Sequence, residues 1–314
     1  MPGVKLFAIF LLTSLLAAGA DLRLGIIGTD TSHVIAFTRI LNDASLPDHV
    51  DGARVVAAFK GGSKDVKESA TRVDKFAEEL KTKWKMEFTP DIASLCRKVD
   101  AVLLESVDGR AHLEQAKIVI AAGKPMFIDK PLASTLEDAR TIARLAKNAG
   151  VPWFSASSLR FDEIGTTMKF PDTMGAMTWG PGPIEEHHQL ELSWYAIHPI
   201  EMLYALMGTG CEEVSRTYTD GADVLVGRWR GGRIGTVRAL RPYGGYGAVV
   251  FRAKSVVQSN PKAATGYRPL LVEIIKFFET RQPPVSNEET LEMFAFMDAA
   301  QRSKAAGGAP VKLR

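Results

Sequence analysis

The stretch GIIGTDTSHV, residues 25–34, places hydroxyl, carboxyl and imidazole side chains directly after a short apolar run and a glycine. A strand, a glycine turn and a helix in this order can bind a phosphate, because the first backbone N–H groups of the helix are free to hydrogen-bond an anion. The candidate binding residues are the six of the turn: Gly28, Thr29, Asp30, Thr31, Ser32 and His33. A dinucleotide of the NAD or NADP type is the expected ligand of such a turn.

The turn departs from the usual dinucleotide fingerprint, which has glycine at its first, third and sixth positions. Gly28 holds the first position, whereas Asp30 and His33 hold the third and the sixth. A carboxylate would repel a pyrophosphate at low dielectric constant, and an imidazole fills space that glycine leaves open. Asp30 or Thr31 could equally cap the helix that follows. Both a nucleotide site and a purely structural turn therefore stay open.

A second set of candidates follows the apolar run RVVAAF, where an acid that binds the ribose diol is expected. The chain has Lys60, Gly61, Gly62 and Ser63 there instead. Lys60 and Ser63 could contact a 2'-phosphate, which favours NADP over NAD. The alternative is a solvated glycine turn.

Short apolar runs alternate with amphipathic stretches in residues 21–155. The predicted strands are 22–27, 54–59, 100–106, 125–129 and 152–157, and the predicted helices are 32–42, 66–82, 91–98, 111–122 and 135–149. Continuous apolar runs are typical of strands that are covered on both faces. The pattern predicts an α/β domain, with a Rossmann-like doubly wound parallel sheet. Its last helix should begin at a capping box in STLE, residues 134–137, and end at Gly150.

The pattern changes after Phe161, and we assign residues 156–314 to a second, α+β domain. Glycine and proline cluster in residues 174–186. Predicted strands follow at 212–219, 222–230, 233–241 and 247–253, with a hairpin turn at RGGR, and predicted helices at 196–207, 268–280 and 287–305. Alternating runs are typical of an open-faced, mainly antiparallel sheet. An exposed apolar sheet face favours a homo-oligomer.

Residues 1–20 have the pattern of a secretory signal peptide, with Lys5, the apolar run LFAIFLLTSLLAAGA and expected cleavage after Ala20. A membrane anchor is the alternative, but the run is shorter than the roughly 20 residues of a bilayer span. We expect a secreted or periplasmic protein with no membrane span after signal removal. The formal net charge of +3 comes from intermixed charges and gives no indication of nucleic-acid binding. Cys96 and Cys211 are expected to be buried thiols.

Five motifs resemble, in the same order, those of the family of glucose-fructose oxidoreductase, inositol dehydrogenase and MocA-like proteins. They are GKPMFIDKPLA (123–133), which resembles the Glu-Lys-Pro segment with Asp129 in place of Glu; His112 in the preceding helix; SSLRF (157–161), which resembles an Asn-Arg-Phe element; IHPIEMLYALMG (197–208), which resembles the helix of the catalytic histidine; and the closing helices in 267–313. The resemblance implies a divergent, exported member with a nucleotide-binding domain followed by an open-faced sheet.

The resemblance also implies chemistry: a hydride moves between a nicotinamide and a carbon that bears a hydroxyl, on a sugar or cyclitol. Asp129 and Lys130 would contact the cofactor, and the Lys130 ammonium would orient the substrate oxygen and favour the alkoxide. His198 would take or give the proton. The aspartate that the family has four residues earlier is replaced by Trp194, and Glu201 or Glu191 would have to orient the imidazole instead.

The candidate substrate-binding residues are His112, Arg160, Trp194 and His198. Arg160 would hold a substrate hydroxyl or carboxylate, or pair with a structural acid. His187 and His188 are adjacent, so on a strand their side chains would point to opposite faces, and no metal site is predicted. Two other functions stay open: a carbohydrate-binding or scaffold protein with a decayed nucleotide site, and a redox-assisted glycoside hydrolase or lyase.

Overall fold

The computed structural model describes residues 21–242 and 244–314. The predicted signal peptide lies outside the described residues. None of the described helices is long and apolar enough to span a membrane.

The first sheet consists of six parallel strands in the order β3-β2-β1-β4-β5-β6. They are β1 (Leu22–Ile27), β2 (Ala53–Phe59), β3 (Glu87–Phe88), β4 (Ala101–Leu104), β5 (Met126–Ile128) and β6 (Trp153–Phe154). The strand order reverses between β1 and β4, so a crevice for a ligand lies at the carboxyl ends of these strands. The predicted parallel sheet is confirmed, and only the two-residue β3 was not predicted.

Five helices cover the two faces of this sheet. They are α1 (Ser32–Asn42), α2 (Lys67–Thr82), α3 (Ile92–Lys98), α4 (His112–Ala121) and α5 (Leu136–Ala149). Each agrees with its predicted range within one residue at either end. The capping box of α5 lies one residue later than predicted, because the hydroxyl of Thr135 accepts from Asp138 N at 3.0 Å. Gly150 ends α5 with a φ of 66°.

The second sheet has seven strands in the order β12-β11-β7-β10-β9-β8-β13. They are β7 (Thr173–Pro181), β8 (Cys211–Thr219), β9 (Ala222–Trp229), β10 (Ile234–Leu240), β11 (Gly247–Arg252), β12 (Val256–Gln258) and β13 (Val311–Lys312). Only the pair of β7 and β10 is parallel, so the mainly antiparallel sheet is confirmed. The β9–β10 hairpin turns at Gly231 and Gly232, which have φ values of 77° and 81°.

The central strand β7 was not predicted, since its glycines obscure the alternating pattern. A side chain at Gly175 would approach Ile234 O to 2.6 Å, and one at Gly180 would meet the ring of Tyr246. Glycine is therefore required there by the close approach of neighbouring atoms.

Four helices complete the fold: α6 (Glu163–Thr167), α7 (Ile197–Met207), α8 (Arg268–Thr280) and α9 (Asn287–Ala305). Every residue of α7 is buried, and the helix packs on β7 and β10. The sequence assigned α8 to the second domain, but it packs with α1 on the first sheet, where Phe37, Phe127 and Phe277 belong to one buried cluster. Apolar contact area, rather than position along the chain, determines this placement.

A second buried cluster covers the other face of the first sheet and continues into the second sheet. It includes Leu104 and Ile128 of the first sheet, Trp229 of the second, and Phe296 of α9. The two sheets therefore share one continuous core. Cys96 and Cys211 are both free and buried, as expected.

Candidate active site

A cavity of about 770 Å³ lies at the carboxyl ends of the first sheet, between that sheet and the second domain. Six residues that were predicted to bind a ligand or to act in catalysis line this cavity: Thr31, Ser32, His33, Lys130, Trp194 and His198. The fold thus brings together predicted residues that are far apart along the chain. The volume of the cavity is within the range of small-molecule sites.

The N-terminus of α1 borders this cavity and can bind an anion. Thr31 is the N-cap residue, yet its side chain makes no capping hydrogen bond. Among the residues that the structure describes, its buried Oγ1 has no hydrogen-bond partner. A buried hydroxyl without a partner is costly, and an oxygen of a bound phosphate would satisfy it.

The earlier half of the same turn faces away from the cavity. Gly28 has a φ of 88°, and a side chain there would approach Ser106 N to 2.5 Å. The hydroxyl and the N–H of Thr29 both donate to Lys60 O, at 3.1 and 2.8 Å. These two residues hold the loop after β2 against the turn, and neither lines the cavity. Their contact with a cofactor stays a prediction.

Asp30 is also turned inward, although the sequence placed it beside a phosphate or at the helix cap. It is fully buried, and its carboxylate accepts from Ser69 Oγ at 2.6 Å and from Val107 N at 3.1 Å. Burial raises its pKa, and these two hydrogen bonds oppose the shift. Asp30 therefore joins the turn to α2 and to the segment after β4, and neither of the two predicted roles is correct.

Lys60 and Ser63 do not line this cavity, and their contact with a 2'-phosphate stays a prediction. The half-exposed Lys60 side chain pairs with Asp74. Ser63 donates its backbone N–H to Ser69 Oγ at 2.7 Å, and its side chain bonds Asp108. Nothing at these two positions supports a preference for NADP.

Two charged residues of α2, Glu68 and Arg72, line the cavity and were not predicted. They lie several residues after Gly61 and Gly62 in the sequence. They reach the site because α2 packs close to the turn before α1. The positive charge of Arg72 contributes to a lower pKa of Lys130.

Lys130 follows β5 and lines the cavity as predicted. Burial lowers the pKa of its ammonium, and the charges of Asp129 and Glu105 partly oppose this. Its Nζ lies 5.4 Å from the ring centroid of Tyr195. An ammonium in this position can hydrogen-bond a developing alkoxide.

His198 lies in the first turn of α7 and lines the same cavity. Burial, together with the charges of Lys130 and His33, holds the pKa of its imidazole well below the ordinary value. The ring is therefore neutral at neutral pH and can accept a proton. Its Nδ1 lies 2.7 Å from Ser157 Oγ, so a hydroxyl orients the ring.

The prediction that Glu201 or Glu191 orients His198 is wrong. Glu201 is buried against Arg160, with Oε1 at 2.5 Å from Nε, and Arg160 also pairs with Glu289 at 2.6 Å. Glu191 pairs with Arg216 and Lys304. Sequence analysis left two roles open for Arg160, and the structure shows the second, pairing with structural acids, because the guanidinium forms ion pairs with two internal carboxylates.

The other two predicted substrate contacts differ from each other. His112 is fully buried, and its ring nitrogens lie 2.7 Å from Ser106 O and 3.2 Å from Leu132 O, so its predicted substrate role is wrong. Trp194 lines the cavity, and its ring packs edge-on against His188 with a centroid distance of 5.0 Å. Trp194 remains available to stack on a sugar ring.

His187 and His188 do not converge with His198. His187 Nδ1 lies 2.7 Å from Glu185 Oε1, and His188 Nε2 lies 3.2 Å from Asp108 Oδ1. Each ring therefore lies beside a carboxylate rather than beside His198.

Asp129 is buried and does not line the cavity, and its contact with the cofactor stays a prediction. Its Oδ2 lies 2.6 Å from His33 Nδ1, and its Oδ1 accepts from Lys130 N at 2.8 Å. Glu105, at the end of β4, lies beside this pair and was not predicted. The sequence signal that could have identified Glu105 is its charged side chain near the end of the apolar run DAVLLES.

Comparison with known proteins agrees with this geometry. Residues 22–157 match the GFO_IDH_MocA family, an oxidoreductase family with an NAD-binding Rossmann fold. The chain is 49% identical over 53 residues to inositol 2-dehydrogenase of Paracoccus denitrificans, a match that covers 17% of this chain and 16% of that protein. It is 33% identical over 131 residues to inositol 2-dehydrogenase/D-chiro-inositol 3-dehydrogenase of Halalkalibacterium halodurans, covering 41% of this chain and 33% of that protein.

The fold extends the similarity over nearly the whole chain. The crystal structure of myo-inositol dehydrogenase from Lactobacillus casei in complex with NAD(H) and myo-inositol superposes with a TM-score of 0.71 and 19% identity, covering 94% of this chain and 97% of that one. Myo-inositol 2-dehydrogenase from Lactobacillus plantarum superposes with a TM-score of 0.72 and 15% identity, covering 94% and 100%. Residues 22–157 thus match the NAD-binding Rossmann fold of the GFO_IDH_MocA oxidoreductases, and the whole described chain shares its fold with these solved structures.

Proposed function

We propose that the protein is an NAD(P)-dependent oxidoreductase that transfers a hydride to or from a hydroxyl or ketone carbon of a sugar- or cyclitol-like molecule. The observation that carries the proposal is the shared cavity, in which Lys130 and His198 lie together with the uncapped end of α1. The inositol dehydrogenases among the relatives support the choice of a polyhydroxylated substrate.

The residues at the α1 end of the cavity fit the pyrophosphate of a dinucleotide. The unpartnered Thr31 hydroxyl and the free N–H groups of the first turn would donate hydrogen bonds to its oxygens, and Arg72 adds positive charge. Asp30 does not oppose this, because its carboxylate is hydrogen-bonded inside the protein. A nicotinamide nucleotide held there would supply the hydride acceptor or donor. NAD and NADP are both proposed as cofactors.

The chain's own residues would perform the proton chemistry. In the oxidation direction, the neutral His198 accepts the hydroxyl proton of the substrate, and Ser157 keeps the imidazole in place. The Lys130 ammonium stabilises the negative charge that develops on the oxygen. Trp194 offers a flat apolar surface for the substrate ring.

The direct test is calorimetric titration of the mature protein with NAD and with NADP, followed by oxidation assays with inositols and sugars. Binding of either nucleotide, together with reduction of the cofactor by a polyol, is the expected result. Absence of binding by both nucleotides would reject the proposed function.

A second candidate function is carbohydrate binding without a cofactor. It is favoured by the inward-facing Gly28, Thr29 and Asp30, which leave only part of the turn at the cavity. This alternative predicts heat from monosaccharides and none from either nucleotide. A redox-assisted hydrolase or lyase would instead show sugar cleavage with a bound cofactor that is not consumed.

We also propose export and self-association. Residues 1–20 support export through their signal-like pattern. On the second sheet, Ile234, Phe251 and Val256 are exposed and lie in register across β10, β7, β11 and β12, which supports a homo-oligomer that covers this face. Light scattering of wild type and Phe251→Glu would test the assembly.

A further inference from the structure

Three side chains that can ligate a metal ion meet behind the α1 end of the cavity. His33 belongs to the first turn of α1, and Glu105 and Asp129 directly follow β4 and β5. One ligand atom of each residue lies within 4.8 Å of those of the other two. The sequence predicted no metal site, because these residues belong to segments that are far apart along the chain.

Glu105 is the member of this group that most needs a partner. Its side chain is fully buried, and neither of its oxygens has a hydrogen-bond partner among the residues that the structure describes. One of these oxygens faces His33 and Asp129, within the same 4.8 Å. Burial of an acid without a partner is costly, and buried acids are commonly paired or coordinate a metal. A cation at this point would remove the cost.

The charges around Glu105 favour a divalent cation. Asp129 adds a second buried carboxyl group. The Lys130 ammonium interacts with both acids, but its single positive charge cannot balance two carboxylates. A divalent ion in contact with both acids would supply the missing charge. A proton shared by the two acids is the rival explanation of the pair, and the metal content of the protein distinguishes the two.

The ligand atoms are held close to the arrangement that a metal ion needs. His33 Nδ1 lies 2.6 Å from Asp129 Oδ2, and the other Asp129 oxygen accepts from Lys130 N at 2.8 Å. Phe37 and Tyr267 pack against the His33 ring, with centroid distances of 5.4 and 4.8 Å. Such outer contacts orient the ligands of protein metal sites. Metal–ligand bonds of about 2 Å require Nδ1 and Oδ2 to separate by about 1 Å or less.

We propose that His33 Nδ1 and one oxygen each of Glu105 and Asp129 bind a divalent transition-metal ion. One imidazole and two carboxylates suit Zn²⁺ and its first-row neighbours, whereas Ca²⁺ takes about six to eight oxygen ligands. Three protein ligands leave at least one coordination position open. Because His33 lines the cavity, a water molecule or a ligand oxygen from the cavity would fill that position. The inference does not rest on the proposed function, since neither nucleotide nor substrate takes part in metal binding.

The direct test is calorimetric titration of the full chain with Zn²⁺, after a chelator has been applied and dialysed away. One ion per chain is expected to bind. Affinity should fall at least about tenfold in Glu105→Gln, His33→Gln and Asp129→Asn, because even the outer-shell partners of a metal contribute that much. A chain that takes up no Zn²⁺, or a Glu105→Gln variant that binds it like wild type, would overturn the proposal. A shared proton would then explain the acid pair.

His187→Gln is the matched control for this titration. His187 lies 2.7 Å from a Glu185 oxygen and 3.9 Å from an Asp65 oxygen, so it offers the same ligand types in a partly exposed position. Its replacement should leave the stoichiometry and the affinity unchanged. Loss of Zn²⁺ binding in His187→Gln but not in Glu105→Gln would place the ion at this other group and reject the proposed site.

Co²⁺ can locate the ion in the wild-type chain, without a variant. Its visible absorption should saturate at one ion per chain, disappear when Zn²⁺ is added and persist in excess Ca²⁺. Bound Co²⁺ is paramagnetic, so it should shift or broaden the NMR signals of the His33 ring more than those of the His187 ring. Displacement by Ca²⁺, or a larger effect on His187, would contradict the assignment of His33 as a ligand.

Thermal unfolding separates a metal site from an acid pair with a purely structural role. Zn²⁺ should raise the Tm of wild type, because an ion that binds only the folded chain stabilises it. The same addition should leave the Tm of Glu105→Gln nearly unchanged. This variant should stay folded, since glutamine retains the shape of the side chain and its amide can donate to Asp129. Equal shifts in Tm for the two proteins would count against the site.

The proposed function and this inference fail separately. Reduction of NAD or NADP by a chain that binds no metal would leave the oxidoreductase proposal in place and remove the metal site. Binding of one Zn²⁺ per chain, without binding of either nucleotide, would have the opposite meaning.

Discussion

The two halves of the turn after β1 differ in what they contact. Gly28, Thr29 and Asp30 contact the protein itself, through Ser106, Lys60, Ser69 and Val107, whereas Thr31, Ser32 and His33 border the cavity. Two of the three fingerprint positions have changed, and each change falls in a different half. The carboxylate at the third position is satisfied by internal donors, and the imidazole at the sixth faces the ligand side.

This difference shows that replacing the glycines of the fingerprint can have different structural consequences at different positions. A polar side chain in place of glycine can become part of the scaffold or part of the site, depending on which partners lie within hydrogen-bond distance. Substitutions at the cavity and in the interior should therefore differ in whether they change ligand chemistry or stability.

The largest effect is expected on the cavity side, from Lys130→Ala. Loss of the ammonium removes stabilisation of the alkoxide, so turnover should fall about 10²- to 10⁴-fold, while circular dichroism shows a folded protein. The measurement is steady-state kinetics with the polyol identified by the assays above. Unchanged turnover would remove Lys130 from the mechanism.

Glu201→Leu should affect stability and leave chemistry intact, because its carboxylate pairs with the buried Arg160 rather than with His198. Removal of one partner of a buried ion pair costs about 3–5 kcal/mol, and the remaining bond to Glu289 should keep the loss near the lower value. Urea unfolding measures this free energy. Glu201→Gln retains the shape and should lose less. A fall in kcat with normal stability would place Glu201 in the catalytic machinery after all.

Asp30→Ala tests the internal half of the turn. It leaves the N–H of Val107 and the hydroxyl of Ser69 without their acceptor, which should lower the free energy of unfolding by about 1–3 kcal/mol. Nucleotide affinity should be nearly unchanged, because the carboxylate does not face the ligand. A large gain in affinity would show that Asp30 repels the pyrophosphate.

The smallest effect is expected from Lys60→Ala. Its ammonium is half exposed and pairs with Asp74 on the surface, and such pairs contribute about 0.2–1 kcal/mol. The ratio of NADP to NAD affinity should stay the same in calorimetric titrations. A selective loss of NADP binding would instead support the predicted contact with a 2'-phosphate.

The helices and strands were predictable wherever local patterns determine them. The ranges of α1, α8 and α9 match the predictions at both ends, because apolar periodicity and capping signals act within a few residues. Ser286, for example, is the N-cap of α9. Strand β7 was not predicted because its glycines are required by the close approach of atoms from neighbouring segments. A local sequence pattern contains no information about those contacts.

Site residues were predictable where their motif lies at the end of a strand or the start of a helix that borders the cavity. Lys130 follows β5 and His198 lies in the first turn of α7, so the motif that contains each residue also predicted its position in the fold. Partners were harder to predict: Glu201 lies one helical turn from His198, but its side chain meets Arg160 instead. Ser157, Arg72 and Glu105 depend on contacts between distant segments, and no spacing in the sequence reveals those contacts.

The continuous core that joins the two sheets through α9 restricts how a ligand can come and go. A hinge between the halves would have to separate Leu104 from the cluster that contains Phe296, and so expose apolar surface to water. We therefore expect access to depend on the two loop segments that line the cavity, residues 183–186 and 265–267. Residence time of a bound molecule would then be governed by those two loops, and a nucleotide could be retained through many turnovers.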